Sequence, residues 1–322
     1  MSLNKKCFFI LIFVLSLVVN LNAKTPVEMY GNLRVSGSKI VSESGEPVQL
    51  KGMSLFWSQW GGDYFDKPVI DTLVKEWNCS LVRAPFGAIN GSFKRRFERD
   101  LLKIYTVIDA AIANGIYVIV DWHDHKAEKH PEFAKSFFLR IAKKYPNTPN
   151  IIYEIYNEPL GVSWSNVVKP YAENIIKSLR SLGVKNLVVV GTPNWSQDVD
   201  AVIGNEIDDS NVCYTFHFYA GTHKEEFRVK ADKAIKSGIP LFVTEWGCVN
   251  ADGDGAVDYK ETYRWLKWMD ENNLSSANWA ISRKTEGASA LKPHWAIDLS
   301  EKNLTESGKL VKKYLTKQLR LN

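Results

Sequence analysis

The sequence is poor in cysteine, with four in 322 residues at positions 7, 79, 213 and 248. They are too few and too scattered for a disulfide-stapled fold, and none has the spacing of a C-x-x-C metal pair. At most one internal disulfide can form once the first cysteine is lost, and none is expected. An excess of charge of one sign is also missing: 41 Lys and Arg stand against 36 Asp and Glu, and the basic residues are dispersed. A phosphate backbone would find no positive stripe to meet, so nucleic acid is not expected as a partner. No apolar run beyond the N-terminus approaches the roughly 20 residues that cross a bilayer. No Pro-, Gly- or Ser-rich linker divides the chain, which argues for one domain. With 45% apolar residues, disorder and fibrous repeats are excluded as well.

What is present begins with a leader. Lys5 and Lys6 precede an apolar run from Phe8 to Val19, and Asn20, Leu21, Asn22 and Ala23 follow. A short charged start, about twelve apolar residues and a small residue at the end have the form of a secretory signal peptide. Residues 1–23 are therefore expected to be cleaved, leaving a secreted, extracellular chain 24–322 with a formal charge of +3 and no membrane association. Five Asn-x-Ser/Thr sequons, at Asn78, Asn90, Asn194, Asn273 and Asn303, would accept glycans in a eukaryotic host.

Short β-rich apolar runs then alternate with amphipathic stretches. The runs cover 49–54, 80–85, 116–121, 151–156, 187–191, 212–217, 240–245 and 276–280. The stretches cover 66–77, 99–113, 131–144, 164–182, 225–237, 259–272 and 304–321. Strands this apolar are buried on both faces, as in a parallel sheet covered by helices. Eight of them, without a Gly-rich dinucleotide turn, predict a closed α/β architecture, the (β/α)8 TIM barrel, over an open doubly wound sheet. Residues 33–48, with two Ser-Gly turns, predict a small β-hairpin capping the bottom of the barrel.

Chemistry in such a barrel sits at the C-terminal strand ends. Here those ends are polar: Arg83 on the second strand, Asp121-Trp-His123 on the third, Asn157-Glu-Pro159 on the fourth, His217-Phe-Tyr219 on the sixth, Glu245-Trp-Gly247 on the seventh and Asn278-Trp279 on the eighth. Glu158 and Glu245 can meet across the mouth, and a carboxylate pair split into acid and nucleophile is what retaining glycoside hydrolysis uses, at about 5 to 5.5 Å. Trp57, Trp60, Trp195, Trp279 and Tyr219 fall where flat rings could stack on sugar faces. Trp77, Trp265 and Trp268 fall in helices and are expected to pack there.

The segments Ile152-Tyr-Glu-Ile-Tyr-Asn-Glu-Pro159, Val190-Gly-Thr-Pro-Asn-Trp-Ser-Gln-Asp198, Tyr214-Thr-Phe-His-Phe-Tyr-Ala-Gly-Thr222 and Phe242-Val-Thr-Glu-Trp-Gly247 resemble glycoside hydrolase family 5, in its bacterial and invertebrate endoglucanase branch. The resemblance runs in order from about Tyr30 to Ser307. It implies that Glu158 is the acid/base and Glu245 the nucleophile of a retaining double displacement. It also implies that Asn157 bonds the sugar 2-hydroxyl, and that Arg83 and Tyr219 hold Glu245 ionised and oriented. His123 and His217 would line the cleavage subsite, with Trp279 as its floor. Trp60 and Trp195 would stack on sugars either side of the scissile bond, and Lys284 and Glu286 would contact distal glucosyl units. Some members carry a histidine after the first strand, where this chain reads Ser54-Leu-Phe-Trp-Ser58, so Phe56 or Trp57 takes that place.

His123-Asp-His125 with Asp121 has metal-ligand spacing, yet His217 is the sole further histidine at a strand end, so no metal and no cofactor is expected. The segment 250–261 nearly matches a calcium loop but follows a strand and is read as an ordinary loop. The expected partner is a β-1,4-glucan, and the expected enzyme a cofactor-free, monomeric endo-β-1,4-glucanase. Mannan, xylan or mixed-linkage glucan as substrate, or a non-catalytic glycan-binding barrel, remain as alternatives. With no tethered binding module read in the sequence, weak action on crystalline cellulose is expected.

Overall fold

The computed structural model describes residues 24–319 and 321; the leader-like segment 1–23 lies outside them. Ten strands form: β1 (Arg34–Ser36), β2 (Lys39–Val41), β3 (Lys51–Leu55), β4 (Leu81–Gly87), β5 (Tyr117–His123), β6 (Ile151–Glu154), β7 (Val188–Val190), β8 (Val212–Tyr219), β9 (Leu241–Gly247) and β10 (Ser276–Ile281). Strands β3 to β10 pair in sequence order, all parallel, and β10 returns to β3 to close the barrel. Helices Lys67–Trp77, Phe97–Ala113, Pro131–Lys144, Lys169–Ser181, Glu225–Lys236, Tyr259–Glu271 and Glu306–Leu315 follow the strands. The expected barrel and hairpin are both formed. Between β7 and β8 only short turns, Pro193–Ser196 and Val199–Val202, make the crossover, matching the absence of a helical pattern there.

Strand alternation separates two cores. Outward residues such as Val82, Phe86, Val118, Trp122, Phe216 and Trp246 pack beneath the helices. Inward residues Leu81, Tyr117, Ile119, Ile152, Val189, Cys213, Phe242 and Ala277 fill the lower barrel. The β1–β2 hairpin closes that end with Leu33 and Ile40. Asn211 fastens it by accepting from the Val35 N–H at 3.0 Å and donating to the Leu33 carbonyl at 3.1 Å.

Two residues further along the same inward rows the character changes from apolar to polar. Leu81 is succeeded by Arg83, Ile119 by Asp121 and His123, Ile152 by Glu154, and Cys213 by Thr215, His217 and Tyr219. Period two thus carries each row from the plug to the mouth without a change of face. Strand β9 needs an extra step. Thr215 and His217 of β8 lie opposite Phe242 and Glu245, and Ser276 and Asn278 of β10 lie opposite Val243 and Trp246. Both neighbours therefore place one additional residue in β9, a bulge that turns Glu245 to the inner side already held by Thr244.

Candidate active site

Glu158 stands four residues beyond the end of β6, on a segment pinned from three sides. The Gly191 N–H donates to the Tyr156 carbonyl at 2.9 Å, the Ser196 hydroxyl to the Asn157 carbonyl at 2.7 Å, and the Glu158 N–H to the Asp124 carbonyl at 3.3 Å. A carboxylate oxygen of Glu158, one of Glu245 and a ring nitrogen of His217 all lie within 4.8 Å of one another. The two glutamates lie three strands apart in the ring, and the β9 bulge closes the gap. Their separation belongs with retaining rather than inverting carboxylate pairs, which stand about 6.5 to 9.5 Å apart.

Beneath them Arg83 is fully buried and organises the floor. Its Nη1 donates to Glu245 Oε2 at 2.9 Å, its Nε to Glu154 Oε2 at 2.7 Å, and its Nη2 to Asn157 Oδ1 at 2.6 Å, with Asp121 Oδ2 at 2.9 Å. Tyr219 donates its hydroxyl to the other Glu245 oxygen at 2.7 Å. Each carboxylate oxygen of Glu245 is thereby held by one donor. Because Asn157 Oδ1 accepts from Arg83, its Nδ2 is the free end of the amide, buried and without a protein partner. A ligand hydroxyl would satisfy it.

His217 joins Glu158: its Nδ1 lies 2.9 Å from Glu158 Oε1 and its Nε2 2.9 Å from Thr244 Oγ1, which donates to Glu154 Oε1 at 2.6 Å. His125 Nδ1 approaches the other Glu158 oxygen at 3.3 Å, without hydrogen-bond geometry. His123 bonds Asp121 at 2.6 Å, and its ring stacks on Trp279 at 5.2 Å and meets the edge of Trp57 at 3.9 Å. The His123-x-His125 spacing thus serves two separate contacts and does not converge on a shared point.

Burial, then the charge of Glu245, raises the Glu158 pKa well above the ordinary carboxylate value. Burial also pushes Asp121 and Glu154 up to about 8, against the pull of Arg83. Burial and the Arg83 charge hold His123 and His217 well below the usual imidazole range, so both rings are neutral at pH 7. Tyr219 is raised by burial and by Glu245, and stays a donor.

Above this floor a cleft of about 650 Å3 is lined by Phe56, Trp57, Trp60, Trp195, Trp279, Lys284 and Glu286 among others. Trp60 and Trp195 present 67% and 43% of their surface, so their faces are available for stacking. Asn194, Trp195 and Ser196 all hold φ near +56°, a costly conformation for side-chain-bearing residues that is held by the Ser196 bond to Asn157. Lys284 and Glu286 form an ion pair at the cleft edge. The Ser54-Leu-Phe-Trp-Ser58 segment supplies both Phe56 and Trp57 where a histidine was the alternative.

Each residue expected to act on or bind the sugar reaches this cleft or the layer under it, whereas Asn278 donates instead to the Trp246 carbonyl at 2.9 Å. Glu154 and Thr244, within the strands below the mouth, and His125, Gln197 and Asp252 from loops join the site without a catalytic or sugar-binding role having been legible for them in the sequence. In 250–261 the Glu261 carboxylate is bound by Arg228 at 2.5 Å and Arg264 at 3.1 Å, which commits it to helix packing, as an ordinary loop requires. Cys79, Cys213 and Cys248 are buried free thiols.

Comparison with known proteins agrees with this geometry. The family model described as Cellulase (glycosyl hydrolase family 5) matches residues 41–285. Endoglucanase Z of Dickeya dadantii is 48% identical over 318 residues, covering 97% of this chain and 72% of that protein. The chain spans 64% and 52% of two further endoglucanases, from Clostridium saccharobutylicum and Evansella cellulosilytica. A structure from Cytophaga hutchinsonii superposes with a TM-score of 0.89 at 46% identity, over 92% of this chain and 97% of that one. The catalytic domain of Thermobifida fusca endoglucanase Cel5A, solved in complex with cellotetraose, does so with 0.87 at 31%, over 91% and 100%. On the match of three quarters of its length and the identity to such relatives, the chain belongs to the cellulase family, glycosyl hydrolase family 5.

Proposed function

We propose that the protein is a secreted, monomeric endo-β-1,4-glucanase that cleaves internal bonds of cellulose and related β-glucans with retention of configuration. The observation that carries this is the pair of carboxylates within 4.8 Å at the barrel mouth, one with its pKa raised by burial and by its neighbour and the other held by Arg83 and Tyr219. A glucan lying along the tryptophans places its scissile bond between them. In the first half-reaction Glu245 attacks the anomeric carbon while Glu158 gives its proton to the leaving oxygen. In the second, Glu158 takes a proton from water, which attacks the same carbon and frees Glu245. The Asn157 Nδ2 donor meets the 2-hydroxyl, a contact that tightens as the ring flattens. Relatives named endoglucanase and a neighbour holding cellotetraose support a glucan. The leader at 1–23 supports secretion.

The test is reducing-sugar release from carboxymethyl cellulose, mixed-linkage glucan, mannan and xylan, with Glu245→Gln as control. Preference for the glucans, abolished in the variant, is expected; preference for mannan or xylan overturns the substrate, and silence on all four overturns catalysis. For the roles, Glu158→Gln retains cleavage of aryl glycosides whose leaving groups need little protonation, whereas Glu245→Gln loses both kinds. Equal loss on both substrates in both variants would reverse the assignment.

A further inference from the structure

Glu158 must be an acid in one half-reaction and a base in the next, and more than burial acts on it. A single file of hydrogen bonds leaves it and runs down into the barrel: Glu158 Oε1 to His217 Nδ1 at 2.9 Å, His217 Nε2 to Thr244 Oγ1 at 2.9 Å, Thr244 Oγ1 to Glu154 Oε1 at 2.6 Å. His217, Thr244 and Glu154 are at most 1% exposed, so water does not intrude. His217 Nε2 is 4.0 Å from Glu154 itself, beyond bonding distance, so the threonine hydroxyl is the necessary link.

We propose that Glu154 and Thr244 are positioning residues for the acid/base: through the tautomer of His217 they decide whether Glu158 holds its proton. The inference rests on the reading of Glu158 as acid/base. A neutral imidazole has one N–H and one lone pair, and the partner of one nitrogen dictates the state of the other. Arg83 donates to both Glu154 oxygens, Nε to Oε2 at 2.7 Å and Nη2 to Oε1 at 3.2 Å, so even with its pKa raised by burial Glu154 turns an accepting Oε1 to Thr244, which donates to it and accepts from Nε2–H. Nδ1 is then a lone pair, and Glu158 Oε1 is stabilised as an O–H donor, loaded for the first half-reaction. After that proton has left, the carboxylate faces the same lone pair, which favours its taking a proton from water in the second.

When the proton of Glu154 sits on Oε1 every bond reverses: Oε1–H donates to Thr244, Thr244 to Nε2, and Nδ1–H to the Glu158 carboxylate. The two polarities interconvert by three hops, Glu158–H to Nδ1, Nε2–H to Oγ1 and Oγ1–H to Glu154. One proton moves from Glu158 to Glu154 with no change in total charge and no co-reactant. The other ionisable groups facing this file are Arg83, Asp121, Cys213, Tyr219 and Glu245 from the barrel strands, with His123 and His125 from the end of β5 and the loop after it. None of them bridges His217 to Glu154.

Thr244→Val removes the link at nearly constant volume and with no change of charge. With no acceptor for Nε2–H, the ring places its proton on Nδ1, where a charge-assisted bond to the Glu158 carboxylate is available. The alkaline limb of kcat/KM on cellotetraose should then move down by about one pH unit, a tenfold change in proton affinity. Thr244→Ser keeps the hydroxyl and should restore the wild-type limb. An unmoved limb in Thr244→Val, or an equal shift in Thr244→Ser, overturns the proposal. A second readout needs no variant of the chain at Thr244: nitrogen NMR of the labelled wild-type enzyme, with His217 assigned by its loss in His217→Asn, should show the Nε2–H tautomer in the active pH range, and Nδ1–H there overturns the proposal. Glu158→Gln measured beside these, on cellotetraose and on an aryl glycoside, tests the underlying assignment separately: loss confined to cellotetraose upholds the acid/base reading whatever Thr244→Val does.

Discussion

At the scale of single residues, Arg83 explains why three acids can share a dry floor. A buried guanidinium without carboxylates, or these carboxylates without it, would cost several kcal/mol of desolvation, and its planar fork reaches Glu154, Asp121, Glu245 and Asn157 together. By fixing Asn157 Oδ1 it also presents the amide donor to the substrate. Asn157→Ala should therefore lower kcat by about 100-fold, the usual cost of a lost transition-state donor, with KM changed far less; a loss confined to KM would place the contact in ground-state binding. Asp121 yields a linkage prediction. Its pKa is raised to about 8 in the folded chain from a value near 4 when unfolded, so its contribution to stability is complete below pH 4 and fades as pH rises toward 8. Urea unfolding between pH 5 and 8 should show wild type losing up to about 1.4 kcal/mol per pH unit relative to Asp121→Asn; parallel slopes would contradict this.

Elements show where pattern reading succeeds and where it stops. The starts of the barrel strands agree with the apolar runs to within two residues, because burial on both faces leaves an unbroken β-branched signature. The far ends agree as closely, but the apolar pattern does not foretell that β4, β5, β8 and β9 each run two residues further, the last three through His123, Tyr219 and Gly247, since polar residues extend the ladder once partners satisfy them. Nor does composition show the β9 bulge, which is a property of pairing with two neighbours. Close strand contact is visible in one glycine. Gly52 of β3 lies opposite Leu81 of β4, and a Cβ there would run into the Leu81 carbonyl. Gly52→Ala should destabilise by about 1 to 3 kcal/mol, read as a lower midpoint in urea; an unchanged midpoint would mean that the pair opens without cost.

For the whole molecule, the barrel divides stability from chemistry along its axis. The hairpin and the apolar rows close one end, the carboxylates and tryptophans occupy the other, and the same strands serve both. Ile40→Ala removes part of the plug and should cost about 2 to 5 kcal/mol while kcat on soluble glucan stays within twofold at a temperature where the variant is folded; a matching loss of kcat would mean that the plug tunes the mouth. The pair Glu158 and Glu245, the tryptophans and the eight-unit barrel were readable in advance, since period, strand count and residue type at strand ends are local properties of the chain. The layer beneath was not. Glu154 and Thr244 look like ordinary interior positions until Arg83 and His217 arrive from other strands, because a hydrogen bond between residues 90 apart has no local signature. Residue chemistry and alternation thus determined what could react and roughly where. Only closure of the ring decided which carboxylate is buried beside which charge, and hence that the pKa of Glu158 is raised.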